Sequence, residues 1–164
     1  MNKTRKVMII AEMAWAHDGS FNKAINIMKA ARESGADAIG IHLTDLPNYM
    51  VPHYGSGVGR VSAGKEHMQV YNYLDKINLT PFDWQQFVIE AKKEGMKLCI
   101  MPNDKPSLDF CEKELKPDFY VLTAAAFIEN EFIKAVAQTK RPTLFRIGGA
   151  TLGEIETAPL CQRQ

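Results

Sequence analysis

A chain of 164 residues with 46% apolar and 24% charged residues is long enough for one domain with a real hydrophobic core. Twenty basic residues against nineteen acidic ones leave a net charge of +1 with both signs interspersed, which excludes the basic face that a nucleic-acid partner needs. No apolar run approaches the ~20 residues of a membrane span, so neither nucleic acid nor a membrane is an expected partner.

The basic start from Met1 to Lys6, followed by the apolar run Val7 to Ala11, has the outline of a signal peptide. That run stops at Glu12, too short for a signal core, and reads instead as a buried first strand. Ser20 is placed to cap the next helix, where Phe21, Ala24, Ile25, Met28 and Ala31 keep helical spacing up to Gly35. Ala38 to Leu43 is a second strand. From Thr44 to Asn78 the chain turns rich in Gly, Pro, His and Tyr, with a short helix expected only near Tyr71 to Ile77. A connection this long is usually functional or disordered. Its segment Gly55-Ser56-Gly57-Val58-Gly59-Arg60 has the composition of a phosphate loop but follows no clean strand-to-helix turn, so a lid over a site is expected there. Tyr71 and Tyr73 suit either stacking on a sugar or packing of the short helix.

Thr80-Pro81-Phe82-Asp83 opens a helix with a cap, a first-turn proline and a carboxylate at the favourable dipole end. Trp84, Phe87, Val88 and Ala91 form its apolar stripe, and Gly95 closes it. Lys97 to Met101 is the third strand, and residues 102–106 make a turn. Ser107 is expected to cap a helix through Leu108, Cys111 and Leu115. Phe119 to Leu122 is the fourth strand, followed by a helix from Glu129 to Gln138 with Phe132, Ile133 and Val136 inward. Thr143 to Ile147 is the fifth strand. Thr151 and Glu154 then form a capping box for a last helix that meets Pro159. Of the three cysteines, Cys99 in a strand and Cys111 on a helix face are expected to be buried thiols in a reducing cytoplasm, while Cys161 lies in the tail.

Strands alternating with helices indicate a parallel α/β fold. Two closures fit: an open doubly wound sheet, or a TIM-type (β/α) barrel of which about five βα units of eight are present. A complete barrel needs ~250 residues, so periodicity alone favours the open sheet. Parallel sheets keep their chemistry beyond the carboxyl ends of the strands, where Glu12, His42, Asn103, Thr123 and Arg146 all fall. Glu12 there is a general base or a neighbour of a metal, or else it caps a helix or pairs with Arg146. His42 points inward or packs in the core. His17 and Asp18 stand just before a helix, where capping and turn-making also account for them.

The stretches Ile9-Ile10-Ala11-Glu12, His17-Asp18-Gly19-Ser20, Gly35-Ala36-Asp37-Ala38 and Gly149-Ala150-Thr151-Leu152-Gly153-Glu154-Ile155 resemble, in order and spacing, the N-terminal half of the sialic acid (N-acetylneuraminate) synthase family and its pseudaminic and legionaminic acid relatives. The resemblance spans Met8 to Ala158, so residues 1–158 are expected to form the first part of such a barrel and 159–164 a tail. It implies a carbon–carbon bond-forming transferase of surface-carbohydrate biosynthesis that condenses phosphoenolpyruvate with an N-acylated hexosamine. It further implies a divalent metal, manganese or magnesium, whose usual histidine ligands belong to later strands outside this sequence. A sugar substrate is the expected small-molecule partner, and the incomplete barrel is expected to associate with itself or with a missing C-terminal half. On this reading Glu12 and His42 are the catalytic candidates, and His17, Asp18, Asn103, Thr123 and Arg146 the substrate-binding ones.

The phosphoenolpyruvate positions depart from the family pattern. Gly40 stands where the family has a lysine, His42 replaces a glutamine, and Ile100-Met101-Pro102-Asn103 replaces Ser-Thr-Pro-Phe. Val121 falls at the second family lysine, and Arg146-Ile147-Gly148 replaces Ser-Thr-Gly. Each lost charge-assisted contact is typically worth ~1.5–3 kcal/mol, so the altered set is expected to bind an anionic sugar or other small ligand instead of phosphoenolpyruvate. The alternatives are a non-catalytic binding half-barrel and a barrel enzyme acting on another sugar phosphate.

Overall fold

The computed structural model describes residues 7–52 and 70–157. Five strands, β1 (Ile10–Glu12), β2 (Ala38–Leu43), β3 (Lys97–Pro102), β4 (Phe119–Leu122) and β5 (Thr143–Phe145), form one sheet in the order β1-β2-β3-β4-β5. Every pairing is parallel. A doubly wound sheet reverses its strand order at a switch point, whereas a barrel adds strands consecutively. The unbroken order therefore gives a partial (β/α) barrel and corrects the open sheet that periodicity favoured.

The two faces of the sheet are buried differently. Ile39, Ile41, Leu43, Leu98, Ile100, Tyr120 and Leu122 pack with the helices into one large core. That layer takes Ala24 and Met28 from α1 (Phe21–Glu33), and Trp84, Phe87, Val88 and Ala91 from α4 (Pro81–Lys93). Phe132, Ile133 and Val136 join from α6 (Asn130–Gln138). The alternate strand residues Ala38, Cys99, Met101, Phe119 and Val121 form a second cluster that contains no helix residue, the inner face of the barrel. Period two then puts Glu12, Gly40 and His42 on that inner face near the carboxyl ends of their strands. At its two edges the sheet leaves Ile9 and Leu144 about half exposed.

Local signals account for most boundaries. Ser20 Oγ accepts from the Lys23 amide, and Thr80 with Asp83 closes a reciprocal box with bonds of 3.1 and 3.0 Å. Thr151 and Glu154 do the same ahead of α7 (Leu152–Thr157). The short helix α3 runs from Val70 to Ile77.

Four expectations needed correction. The first strand begins at Ile10, because Asp37 takes up the chain before it: its carboxylate accepts from the Ile9 amide at 2.9 Å, and its own amide donates to the Ile9 carbonyl. The fifth strand ends at Phe145. Asp104, not Ser107, caps α5 (Lys105–Phe110), since Asp104 Oδ1 accepts from the Ser107 amide at 2.7 Å and Ser107 lies buried in the first turn. That helix does not run on regularly but widens into a π-turn over Cys111–Leu115, closed by Lys116 in the left-handed region at φ +51°. The one-turn helix α2 (Leu46–Tyr49) and the 3-10 turn Ala124–Ile128 carry too few residues for a periodic signal. The expected lid at Gly55 to Arg60, the 159–164 tail and Cys161 lie outside the described residues. Among the described residues, no helix is long and apolar enough to cross a membrane.

Candidate functional site at the barrel mouth

The site is built around one carboxylate. Glu12 ends β1 opposite Gly40 of β2, and the missing side chain of Gly40 leaves the room that Glu12 occupies. A Cβ at position 40 would lie 2.9 Å from Glu12 Oε2, 3.1 Å from Cδ and 3.2 Å from Oε1. The chain then turns sharply at Ala14 (φ +46°), whose amide donates to Glu12 Oε1 at 3.0 Å. From the far side of the sheet, Arg146 Nη2 donates to Glu12 Oε2 at 3.2 Å across 134 residues of sequence. His42, two residues beyond Gly40, puts Nε2 3.7 Å from Glu12 Oε1, too far for a hydrogen bond. Trp15 meets the His42 ring edge-on, with centroids 5.9 Å apart.

The electrostatics of this group are close to balanced. Burial lowers the His42 pKa below 6.5; the Glu12 charge opposes that shift and Arg146 adds to it, so His42 is neutral at pH 7. Glu12 and Arg146 cancel one another. Cys99 lies beside Gly40 in register, and burial together with the Glu12 charge pushes its thiol up to about 12. It is a packing residue with no nucleophilic character.

The other candidates have partners of their own. His17 is fully buried: its Nδ1 accepts from the Gly19 amide at 3.2 Å, and its ring stands edge-on to Trp84 at 5.6 Å and tilted to Trp15 at 6.3 Å. Asp18 takes a left-handed turn position (φ +51°) and accepts from the Tyr73 hydroxyl at 3.1 Å, so Tyr73 docks α3 onto the turn. Thr123 caps the 3-10 turn by accepting from the Ala125 amide. Asn103 donates to Thr44 Oγ1 at 2.8 Å and borders a groove of about 510 Å³ between α2, α5 and α6. The structure thus brings Glu12, His42 and Arg146 together, and gives His17, Asp18, Asn103 and Thr123 hydrogen-bond partners of their own. Trp15, which the sequence reading passed over, joins the group; its only signal was an aromatic inside the turn that leaves Glu12.

The implied divalent metal finds no ligand set here. Among the described residues no group of three His, Cys, Asp or Glu side chains is close enough to hold an ion. Glu12 and His42 are only two donors, and the Glu12 carboxylate is already engaged by Arg146 and the Ala14 amide.

A model of the NeuB family matches residues 27–163. The chain belongs to the NeuB family. It is 30% identical over 162 residues to pseudaminic acid synthase of Campylobacter jejuni strain 81-176, covering 98% of this chain and 46% of that one. It is 23% identical over 154 residues to N,N'-diacetyllegionaminic acid synthase of C. jejuni strain ATCC 700819, covering 94% and 46%. The fold also matches solved structures. N-acetylneuraminic acid synthetase from Leptospira borgpetersenii, in complex with citrate, gives a TM-score of 0.77 at 19% identity, over 94% of this chain and 49% of that one. Spore coat polysaccharide biosynthesis protein SpsE of Bacillus subtilis gives 0.72 at 20% identity, over 95% and 40%. The chain spans about half the length of the curated relatives it matches.

Proposed function

We propose that this NeuB-family chain serves nonulosonic acid or related surface-carbohydrate biosynthesis by holding a neutral, hydroxyl-rich sugar of the N-acylated hexosamine class at its mouth, without the family's grip on phosphoenolpyruvate. The observation that carries this reading is the Glu12 carboxylate lying over Gly40 and bound to Arg146. Phosphoenolpyruvate brings close to three negative charges. Among the described residues, the arginine at the mouth is already matched by a carboxylate, and neutral Gly40 and Val121 stand where the family resemblance puts lysines. A neutral sugar asks for something else: acceptors and donors for hydroxyls, and an apolar edge. Glu12 supplies an anionic acceptor, Arg146 a donor fork, and the Trp15 indole an aromatic edge. The relatives named as synthases of pseudaminic and legionaminic acids support the placement in that chemistry.

On this reading the Glu12–Arg146 pair orients the ligand as a unit, and neutral His42, held by Trp15, walls the site without adding charge. The test uses the full chain with Trp84 replaced by Phe, leaving Trp15 as the remaining tryptophan. Titration with N-acetylmannosamine is expected to change Trp15 emission saturably, and Arg146→Gln to weaken the response about ten-fold. A response that Arg146→Gln leaves intact, or no response in folded protein, overturns the reading. Should Trp84→Phe not fold, the same titration followed by the His42 ring NMR signals in the unsubstituted chain decides the matter.

A further inference from the structure

Helix α3 packs apart from the large core. Its inward residues Leu74 and Ile77 form a separate cluster with Leu46 of α2. From the turn between β1 and α1, Trp15 packs against this cluster. The same indole meets the His42 ring edge-on at the mouth, with centroids 5.9 Å apart. Trp15 is therefore wedged between α3 and the histidine beside Glu12, so the way α3 is fixed to the turn also fixes that aromatic edge.

The turn needs outside support. Between Glu12 and α1 the backbone enters the left-handed region at Ala14 (φ +46°), Asp18 (φ +51°) and Gly19 (φ +76°). Ala14 and Asp18 carry a Cβ, for which that region is unfavourable, and such residues stay there only when their surroundings hold them. The Glu12 carboxylate holds the Ala14 amide, and His17 Nδ1 holds the Gly19 amide from the core side. From the α3 side, the Tyr73 hydroxyl donates to Asp18 Oδ1 at 3.1 Å. One residue on, the turn and the helix meet backbone to backbone: a Cβ on Gly19 would lie 3.1 Å from Ile77 Cα and 3.3 Å from the Lys76 carbonyl oxygen. The Asp18 amide in turn donates to the Trp15 carbonyl at 3.0 Å, which passes any shift of Asp18 on to Trp15. Just past α3, Asn78 Nδ2 donates to the Thr44 carbonyl at 2.9 Å, two residues beyond His42. The helix thus ties together the ends of the two strands that carry Glu12 and His42.

We propose that Tyr73 is a positioning residue for the mouth: its bond to Asp18 sets the 15–19 turn so that the Trp15 indole stands against His42. Tyr73 acts through Asp18 and Trp15, not on the ligand itself. Its effect on ligand binding rests on the sugar reading above, whereas its effect on Trp15 does not.

The experiment first records NMR cross-peaks between the Trp15 indole and the His42 ring in the full chain without ligand. Tyr73→Phe keeps the aromatic ring and removes the hydroxyl, so the cross-peaks should weaken and the His42 ring signals move. Asp18→Gly keeps the left-handed backbone and removes the acceptor, and it should do the same; it decides the matter should Tyr73→Phe not fold. Asp18→Asn retains an acceptor oxygen and a residue type that tolerates the left-handed region, so it should preserve the cross-peaks. Asn72→Ala, an exposed change on the same helix, should leave them in place. N-acetylmannosamine, titrated next and followed by the His42 signals, should bind about five-fold more weakly to Tyr73→Phe. Unmoved His42 signals in folded Tyr73→Phe and Asp18→Gly overturn the proposal, even if urea stability falls, because Tyr73 is then a packing residue only. An equal loss of cross-peaks in Asn72→Ala also overturns it, since any loosening of α3 would suffice. If the unsubstituted chain binds no sugar, the proposed function fails, and the ligand-free cross-peaks alone decide the role of Tyr73.

Discussion

Replacing Gly40 by alanine is the smallest change that probes the arrangement at the mouth. The new methyl would lie 2.9 to 3.2 Å from three atoms of the Glu12 carboxyl group, closer than van der Waals contact allows. The backbone cannot be blamed, because Gly40 is not among the residues with positive φ. Glu12 must therefore swing away, giving up the Ala14 amide at 3.0 Å and Arg146 at 3.2 Å. The first loss falls at the low end of ~1.5–3 kcal/mol for a bond to a charged acceptor, since water reaches the partners, and the part-exposed ion pair adds ~0–1 kcal/mol. Reduced freedom of the unfolded chain returns ~0.4–1 kcal/mol. The net expectation is a destabilisation of roughly 0.5–2 kcal/mol, or about 1–8 °C in Tm for a domain of this size. Urea unfolding measures the first, and the Ala14 amide proton shift reports whether its acceptor has left. A variant at least as stable as the parent with an unmoved Ala14 amide would refute the claim that Glu12 fills the space above Gly40.

Other groups give sharper chemical signatures. Tyr120 Oη and Arg141 Nε both donate to Glu112 Oε1, so Glu112→Ala is expected to cost ~2–3 kcal/mol by leaving a buried phenol unmatched and Arg141 with only its bond to the Pro117 carbonyl, as read by urea denaturation. Burial works to raise the Glu112 pKa, but hydrogen bonds from Arg141 and Tyr120 outweigh it and hold it below the ordinary value. Its stabilising contribution is therefore complete above the unfolded value of ~4.3 and disappears as the pH falls through the folded one; Glu112→Gln should flatten that part of the stability profile. An NMR titration of His42 should find its midpoint below 6.5, lower still in Glu12→Gln and higher in Arg146→Gln. The His42 contribution to stability is accordingly full above pH ~6.5 and declines on acidification below it. Cys99 and Cys111, both buried with thiol pKa values pushed up, should resist a thiol reagent at pH 8 in the native protein and react on denaturation, as mass mapping would record.

The scaffold was readable from local chemistry because each cue acts over a few residues. Ser20, Thr80 with Asp83, and Thr151 with Glu154 announce helix starts by their own side chains, and the apolar runs at Ala38, Lys97 and Phe119 announce strands. The site was only half readable. Strand-end position put Glu12, His42 and Arg146 at one end of the sheet and left a Glu12–Arg146 pair among the readings, but the bond itself spans 134 residues and follows from barrel order, which periodicity alone misassigned. Gly40 was legible as a missing lysine, yet not as the room for a carboxylate. His17 was legible as a turn-maker, and its Nδ1 does hold the Gly19 amide, but not as a core residue, because left-handed residues at Ala14 and Asp18 fold that turn so that the ring drops against Trp84. Asp104 displaced Ser107 as a helix cap for a similar reason, because Asp104 also anchors the Asp45 amide at 2.8 Å, 59 residues away.

The central claim is that Glu12 over Gly40, bound to Arg146, leaves a mouth that does not hold phosphoenolpyruvate. Isothermal titration of the full chain with phosphoenolpyruvate, with and without manganese, tests it most directly. No saturable heat under either condition is the predicted result; stoichiometric binding of phosphoenolpyruvate by the unsubstituted chain would contradict it.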